Sequence, residues 1–178
     1  MRSPVLLAAF IGLILFASTA QASDSRARTV RLHDADGNNV GTVRLSPFGV
    51  RFVRVRATVR DLPAGFHGFH VHSVAMCEPP FTSAGGHHNP GGTTHPGHAG
   101  DMPVLYVTED GVARAEFITD RFSMASLFDN DGSAIIIHAK PDNYANIPTD
   151  RYDPDPDMMT LNTGDAGARI ACGVIQKG

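Results

Sequence analysis

Seven of the nine histidines in this chain lie between His67 and His98, and among them stands the segment Phe69-His70-Val71-His72. Side chains alternate between the two faces of a β-strand, so His70 and His72 project to the same side. Two imidazoles on one face of one strand make half of a metal site. Further along come His87, His95, His98 and Asp101, and then a lone His138 after the apolar run Ile135-Ile136-Ile137. That set suits two borderline transition metals, one held mostly by imidazoles and one by imidazoles plus a carboxylate. A single histidine is more often a surface or core residue than a ligand. The ordered set carries the argument here: a pair at i, i+2, three more in a Gly/Pro loop followed by Asp101, and one on a late strand. Redox or hydrolytic metal chemistry therefore comes first among the functions to consider.

The chain has 178 residues, enough for one domain with a real core. Residues 1–22 read as a secretory signal peptide. Arg2 supplies a positive start, Val5 to Phe16 is apolar, and Ala20-Gln21-Ala22 is a small-residue cleavage site before polar Ser23-Asp24-Ser25. The apolar run is short for a membrane span, and no cysteine stands at the cleavage point to carry a lipid anchor. The sequence thus predicts an exported domain over 23–178, in the periplasm, at the cell envelope or secreted. The formal net charge is −3, and no Lys/Arg cluster is present, which argues against a nucleic-acid partner. Arg51, Arg54, Arg56 and Arg60 are read as the solvated face of one strand. The two cysteines, Cys77 and Cys172, both lie in the exported part, where a disulfide persists. Two thiolate metal ligands are the weaker alternative, since no C-x-x-C spacing occurs.

The exported part reads as β-rich. Thr29 to Leu32 and Val40 to Leu45 flank the turn residues Asp34 to Asn39, a first hairpin. Val53, Val55, Ala57 and Val59 alternate with Arg54, Arg56, Thr58 and Arg60, a half-buried strand. Val104 to Val107 and Ala113 to Ile118 flank Glu109-Asp110-Gly111 and read as a second hairpin. Ser133 to His138 and Ile170 to Ile175 are the late strands, and Phe122 to Leu127 forms a short helical turn at most. Glu78 to Pro103 and Pro141 to Gly167 read as long loops, which in compact domains are usually functional or tied down. Short strands with turn signals predict an all-β Greek-key sandwich or flattened barrel of about eight antiparallel strands with two long functional loops.

At this point the residues match a family. The chain resembles the exported copper/zinc superoxide dismutases of bacteria. The matching motifs are Gly65-Phe66-His67-Gly68-Phe69-His70-Val71-His72, Ser83-Ala84-Gly85-Gly86-His87-His88-Asn89-Pro90, and His98-Ala99-Gly100-Asp101-Met102-Pro103. They continue with Ile137-His138-Ala139-Lys140 and with Gly164-Asp165-Ala166-Gly167-Ala168-Arg169-Ile170-Ala171-Cys172-Gly173-Val174-Ile175. The resemblance runs from about Thr29 to Ile175 in the family's order.

It implies copper and zinc as cofactors and superoxide as the small-molecule substrate. His70, His72, His87 and His138 would be the copper ligands. His87 would bridge to zinc, held also by His95, His98 and Asp101. Arg169 would be the active-site arginine, and His87 would join it in catalysis by carrying a proton. Asp142 would link the imidazoles of His70 and His95, as carboxylates beside metal ligands do. Cys77 and Cys172 would form the disulfide that pins the loop to the last strand. His67 resembles a loop-pinning residue, His88 a packing or surface residue, and His33 is expected to be exposed.

Two features depart from the family pattern. Only two residues separate His95 from His98, a shorter zinc loop than usual. The segment Pro141 to Ala168 is longer than in eukaryotic members and carries Asp142, Asp150, Asp153, Asp155, Asp157 and Asp165 against Arg151, with Lys140 just before it. In the family this loop shapes the field over copper, so an acidic version either slows an approaching anion or faces away. The implied function is dismutation of superoxide. The alternatives are a non-catalytic copper-binding or copper-delivery protein on the same fold and a structural sandwich whose histidines buffer zinc. No stable membrane span is expected after signal removal, and the sequence leaves monomer or homodimer open.

Overall fold

The computed structural model describes residues 26–150 and 156–177. Nine strands follow one another among them: β1 (Arg28–His33), β2 (Asn39–Phe48), β3 (Phe52–Val59), β4 (Gly65–His67), β5 (Phe69–His72), β6 (Leu105–Val107), β7 (Ala113–Thr119), β8 (Ser133–His138) and β9 (Arg169–Ile175). Seven form one antiparallel sheet in the order β5-β8-β9-β1-β2-β3-β7, curled into a half-barrel, and β4 pairs with β6 in a second, two-stranded sheet. Gly68 alone separates β4 from β5, so the chain crosses from the small sheet to the large one within a residue. The all-β expectation holds.

Alternation decides which face is buried. In β1, Val30 and Leu32 point inward while Thr29, Arg31 and His33 face solvent; in β3, Val53, Val55, Ala57 and Val59 do the same. The arginine face of β3 is solvated, with Arg56 donating to Glu116 across the β3–β7 ladder at 2.8 Å. β8 differs because both of its faces are covered. Ile135 and Ile137 join Phe69, Val71 and Leu105 in the main core, whereas Ala134 and Ile136 pack with Phe81, Ala84 and Cys172 beneath the loop that follows β5. This explains the unbroken apolar run in the sequence. Each such isoleucine, withdrawn from water, contributes about 1.5–3 kcal/mol.

Two expectations change. The second hairpin does not form: β6 pairs with β4, and β7 pairs with β3. The tight turn is present, with Thr108 N–H donating to the Val112 carbonyl at 2.8 Å, but the strands leave it into different sheets. Apolar alternation reports the buried face and not the hydrogen-bonded neighbour. Inside the second long loop lies a helix, α1 (Met158–Thr163), while the turn after Phe122 is a 3₁₀ segment at Ala125–Phe128. Asp157 caps α1, accepting from the backbone N–H groups of Met159 and Thr160. Gly164 ends it in the left-handed conformation, φ 58°. No helix among the described residues is long and apolar enough to cross a membrane. The signal peptide expected at 1–22 lies outside the described residues.

Candidate metal centre

β5 is an edge strand whose free side is taken up by the first long loop. His88 N–H donates to the Val71 carbonyl at 2.8 Å, and Val71 N–H donates to the Gly100 carbonyl at 2.9 Å. These contacts set His87 opposite His72 and Asp101 opposite His70. Gly100 is required here, because a Cβ would lie 2.2 Å from the Val71 carbonyl oxygen. Phe69 and Val71 go to the core, so His70 and His72 go to the opposite face and are buried there by the loops.

Four imidazoles, from His70, His72, His87 and His138, meet with one nitrogen each within 4.8 Å of the others. Their outer hydrogen bonds fix the tautomers. His72 donates from Nδ1 to the Gly85 carbonyl and His138 from Nδ1 to the Gly167 carbonyl, both at 3.0 Å. In the neutral rings, Nε2 then carries a lone pair, and the two Nε2 atoms lie 3.3 Å apart. His70 donates from Nε2 to Asp142 Oδ2 at 2.7 Å, leaving its Nδ1 buried with no hydrogen-bond partner. His87 Nε2 is likewise buried and unpartnered. Burial holds His70 at a pKa of about 4 and His138 at about 3, and pushes His72 well below the ordinary value. Neutral rings with converging lone pairs are what a copper ion requires, and among the described residues no hydrogen-bond donor reaches His70 Nδ1 or His87 Nε2.

His87 also belongs to a second group with His95, His98 and Asp101, whose ligand atoms again lie within 4.8 Å of one another despite the short loop. His87 Nδ1 is 2.7 Å from Asp101 Oδ1 and 3.2 Å from His98 Nδ1, and His95 Nδ1 is 3.1 Å from Asp101 Oδ2. Three imidazoles and one carboxylate make a closed four-ligand set suited to structural zinc. Burial opposes charge on His95, but Asp101 and Asp142 outweigh it and hold its pKa up at about 9. The cation-favouring field is therefore already built. Asp142 joins the two groups, accepting from His70 on one oxygen and from His95 Nε2 at 2.8 Å on the other. Both Asp101 and Asp142 are held well below the usual carboxylate range, burial being outweighed by these imidazoles. His70, His95 and Asp142 also form a close trio, but its short contacts are hydrogen bonds.

The four-imidazole group opens on a cleft of about 850 Å³ lined by His72, His87, His138, Arg169 and Met159. Arg169, half-buried at the start of β9, donates to the carbonyls of Phe81 (2.5 Å) and Gly85 (2.6 Å). The Gly85 carbonyl thus receives both Arg169 and His72. Cys77 and Cys172 are disulfide-bonded, tying the loop that supplies those carbonyls to β9.

His67 lies with its ring nitrogens 2.7 Å from the His138 carbonyl and 2.8 Å from that of Pro63, outside both groups. His33 is exposed, while His88 is buried rather than at the surface, since its loop closes over β5. Among the acidic residues of the second loop, Asp142 is buried, Asp157 caps α1, and Asp165 accepts from Asn143 and Thr160. These three are engaged in structure; Asp153, Asp155 and Arg151 lie outside the described residues. Sequence reasoning gave no role to Gly164, though it stands in a matching motif, and missed Tyr144 and the carbonyls of Gly85 and Gly167. For Gly164 a signal existed: Asp157 and Gly164 stand at cap spacing around six residues.

Comparison with known proteins agrees with this geometry. The family model described as copper/zinc superoxide dismutase (SODC) matches residues 39–175. A superoxide dismutase [Cu-Zn] of Mycolicibacterium paratuberculosis is 40% identical over 182 residues, spanning 91% of this chain and 80% of the relative. That of Deinococcus radiodurans is 34% identical, over 92% of this chain and 93% of its own. Among solved structures, the Cu/Zn superoxide dismutase of Brucella abortus superposes with a TM-score of 0.67 at 30% identity, covering 85% of this chain and 100% of that one. A SOD-like protein from Bacillus subtilis gives a TM-score of 0.72 at 30% identity, covering 84% and 98%. With the two histidine groups, the disulfide and these likenesses together, the chain belongs to the copper/zinc superoxide dismutase family.

Proposed function

We propose that this chain converts two superoxide ions and two protons into dioxygen and hydrogen peroxide. The observation that carries the reading is the shared His87. One of its ring nitrogens faces the neutral imidazoles, and the other faces the carboxylate-bearing group. His70 Nδ1, His72 Nε2, His87 Nε2 and His138 Nε2 would hold copper, and His87, His95, His98 and Asp101 would hold zinc. Bound copper supplies the one-electron couple that oxidises one superoxide and reduces a second.

The chain's own residues do the rest. Arg169 keeps its charge at any working pH, and two carbonyls fix its guanidinium on the wall of the cleft. It orients the anion and stabilises the charge that builds up as peroxide forms. His87 Nε2 would carry a proton taken from solvent in the half of the cycle in which it does not hold copper, and would deliver it to the peroxide in the other. Asp142 fixes the rings of His70 and His95 so that each presents Nδ1 inward.

Residues 1–22 would direct export and be removed, leaving 23–178 as the working domain. The disulfide supports this, since such bonds persist in oxidising compartments. The test is superoxide decay catalysed by the chain loaded with copper and zinc, compared with zinc alone and with Arg169→Glu. Fast copper-dependent decay, largely lost in the variant at unchanged metal content, is expected. No decay at full copper occupancy would instead assign copper storage or delivery.

A further inference from the structure

The short zinc loop raises the question of what holds His95 in place. Its backbone N–H donates to the Leu161 carbonyl of α1 at 2.9 Å, and its Nε2–H donates to Asp142. One face of its ring lies parallel to Tyr144, with a 4° angle between the ring planes and 6.4 Å between centroids. Tyr144 is itself tied at two points. Its N–H donates to Asp142 Oδ1 at 2.7 Å, on the same oxygen that accepts from His95. Its phenol oxygen accepts from Val104 N–H at 2.9 Å, just past the Asp101-Met102-Pro103 corner. Its backbone sits at φ 57°, a conformation that a tyrosine adopts only when its surroundings impose it. One residue therefore touches the carboxylate that orients His95, stands beside the His95 ring and grips the segment leaving Asp101. Nothing else in the second loop makes that set of contacts among the described residues.

We propose that Tyr144 is a positioning residue for zinc. By backing His95 and spanning from Asp142 to the chain beyond Asp101, it holds two zinc ligands at the spacing that a longer loop would otherwise set. The inference rests on the assignment of His87, His95, His98 and Asp101 to zinc. Removing the ring leaves the Asp142 contact, which is made by the backbone, and frees His95 to turn about its Asp142 bond. Groups that orient metal ligands typically change metal affinity by 10–100-fold when altered.

The test compares wild type, Tyr144→Leu and Tyr144→Phe in the full exported domain. Zinc Kd is read by competition with a chromophoric chelator. Geometry is read from the visible bands of cobalt(II) placed in the zinc site, with unfolding of the metal-free proteins measured alongside. Tyr144→Leu should raise the zinc Kd by about 10-fold or more and shift the cobalt bands. Tyr144→Phe, which keeps the ring and loses the Val104 acceptor, should fall between it and wild type. A purely structural role would lower metal-free stability and leave the cobalt bands and zinc Kd as in wild type; that result overturns the proposal. Wild-type protein that takes up no zinc in these residues would overturn the site assignment itself. Normal uptake by wild type and Tyr144→Leu alike would overturn only the role of Tyr144.

Discussion

Gly164→Ala separates the backbone demand of the site from its steric demand. At φ +58°, alanine costs about 1–2 kcal/mol relative to glycine, whatever surrounds it. Its Cβ would also stand 1.9 Å from Asp142 Oδ1 and 2.6 Å from His95 Nε2, so the carboxylate must move off the imidazole. Losing that charge-assisted hydrogen bond costs about 1.5–3 kcal/mol more. The total, about 2.5–5 kcal/mol, lowers Tm by about 5–20 °C for a domain of this size. Zinc affinity should fall about 10–100-fold with it, because His95 loses the partner that fixes its tautomer. Gly49 supplies the control: its φ is +64°, and a Cβ there meets nothing within 4 Å. Gly49→Ala should show the backbone cost alone, about 2–8 °C, with zinc Kd unchanged. Thermal unfolding of the metal-free proteins by circular dichroism and zinc competition with a chelator measure both. Equal Tm losses in the two variants, with zinc affinity untouched in both, would refute the close packing of Gly164 against Asp142 and His95.

Three further outcomes are expected. Replacing both Cys77 and Cys172 with serine opens a link between residues 95 apart and should cost about 4–5 kcal/mol, a Tm loss of about 8–20 °C; a loss under 3 °C in reducing-agent or variant experiments would contradict it. The metal-free domain should be most stable near pH 6.5, as read from urea midpoints. Below that pH the unfolded chain takes up protons that His70, at about 4, and His138, at about 3, refuse; above it, the unfolded chain gives up a proton that folded His95 keeps up to about 9, so stability falls as pH rises. A midpoint that climbs steadily from pH 5 to 9 would sink that assignment. The bimolecular rate with superoxide should fall as ionic strength rises, since Arg169 draws an anion into the cleft; a rate that stays flat or rises with salt means that the surrounding aspartates dominate the field.

The sequence made the ligands legible and left their supports dark, for a physical reason. Ligand chemistry resides in side-chain type, so Phe69-His70-Val71-His72 and His98-Ala99-Gly100-Asp101 announce themselves. The groups that orient those ligands are often backbone atoms, which every residue carries alike. The carbonyls of Gly85 and Gly167 set the tautomers of His72 and His138, and no residue identity signals that. The second hairpin failed for a related reason. Leu105, Val107 and Ala113 alternate as buried strand residues should, but the choice between pairing with each other and pairing with β4 and β3 is made by the curl of the whole sheet. α1 escaped because six residues are too few to show a helical period; only its caps were readable.

The placement of the site follows from the same division of faces. Phe69 and Val71 commit one side of β5 to the core, and Ile135 and Ile137 do so for β8. The other side of those strands must be covered by something other than the sheet, and the two long loops provide it. Covering a sheet with loops buries many polar backbone groups, which need partners. Several find them in the site: Gly85 and Gly167 carbonyls in imidazole N–H groups, Phe81 in Arg169, and the Tyr144 N–H in Asp142. The hydrogen bonds that make the loops foldable are thus the ones that turn the ring lone pairs inward. A change that loosens either loop should weaken metal binding before it disturbs the barrel, because the main core of Leu32, Val43, Leu45 and Val55 lies on the far side of the sheet from every ligand.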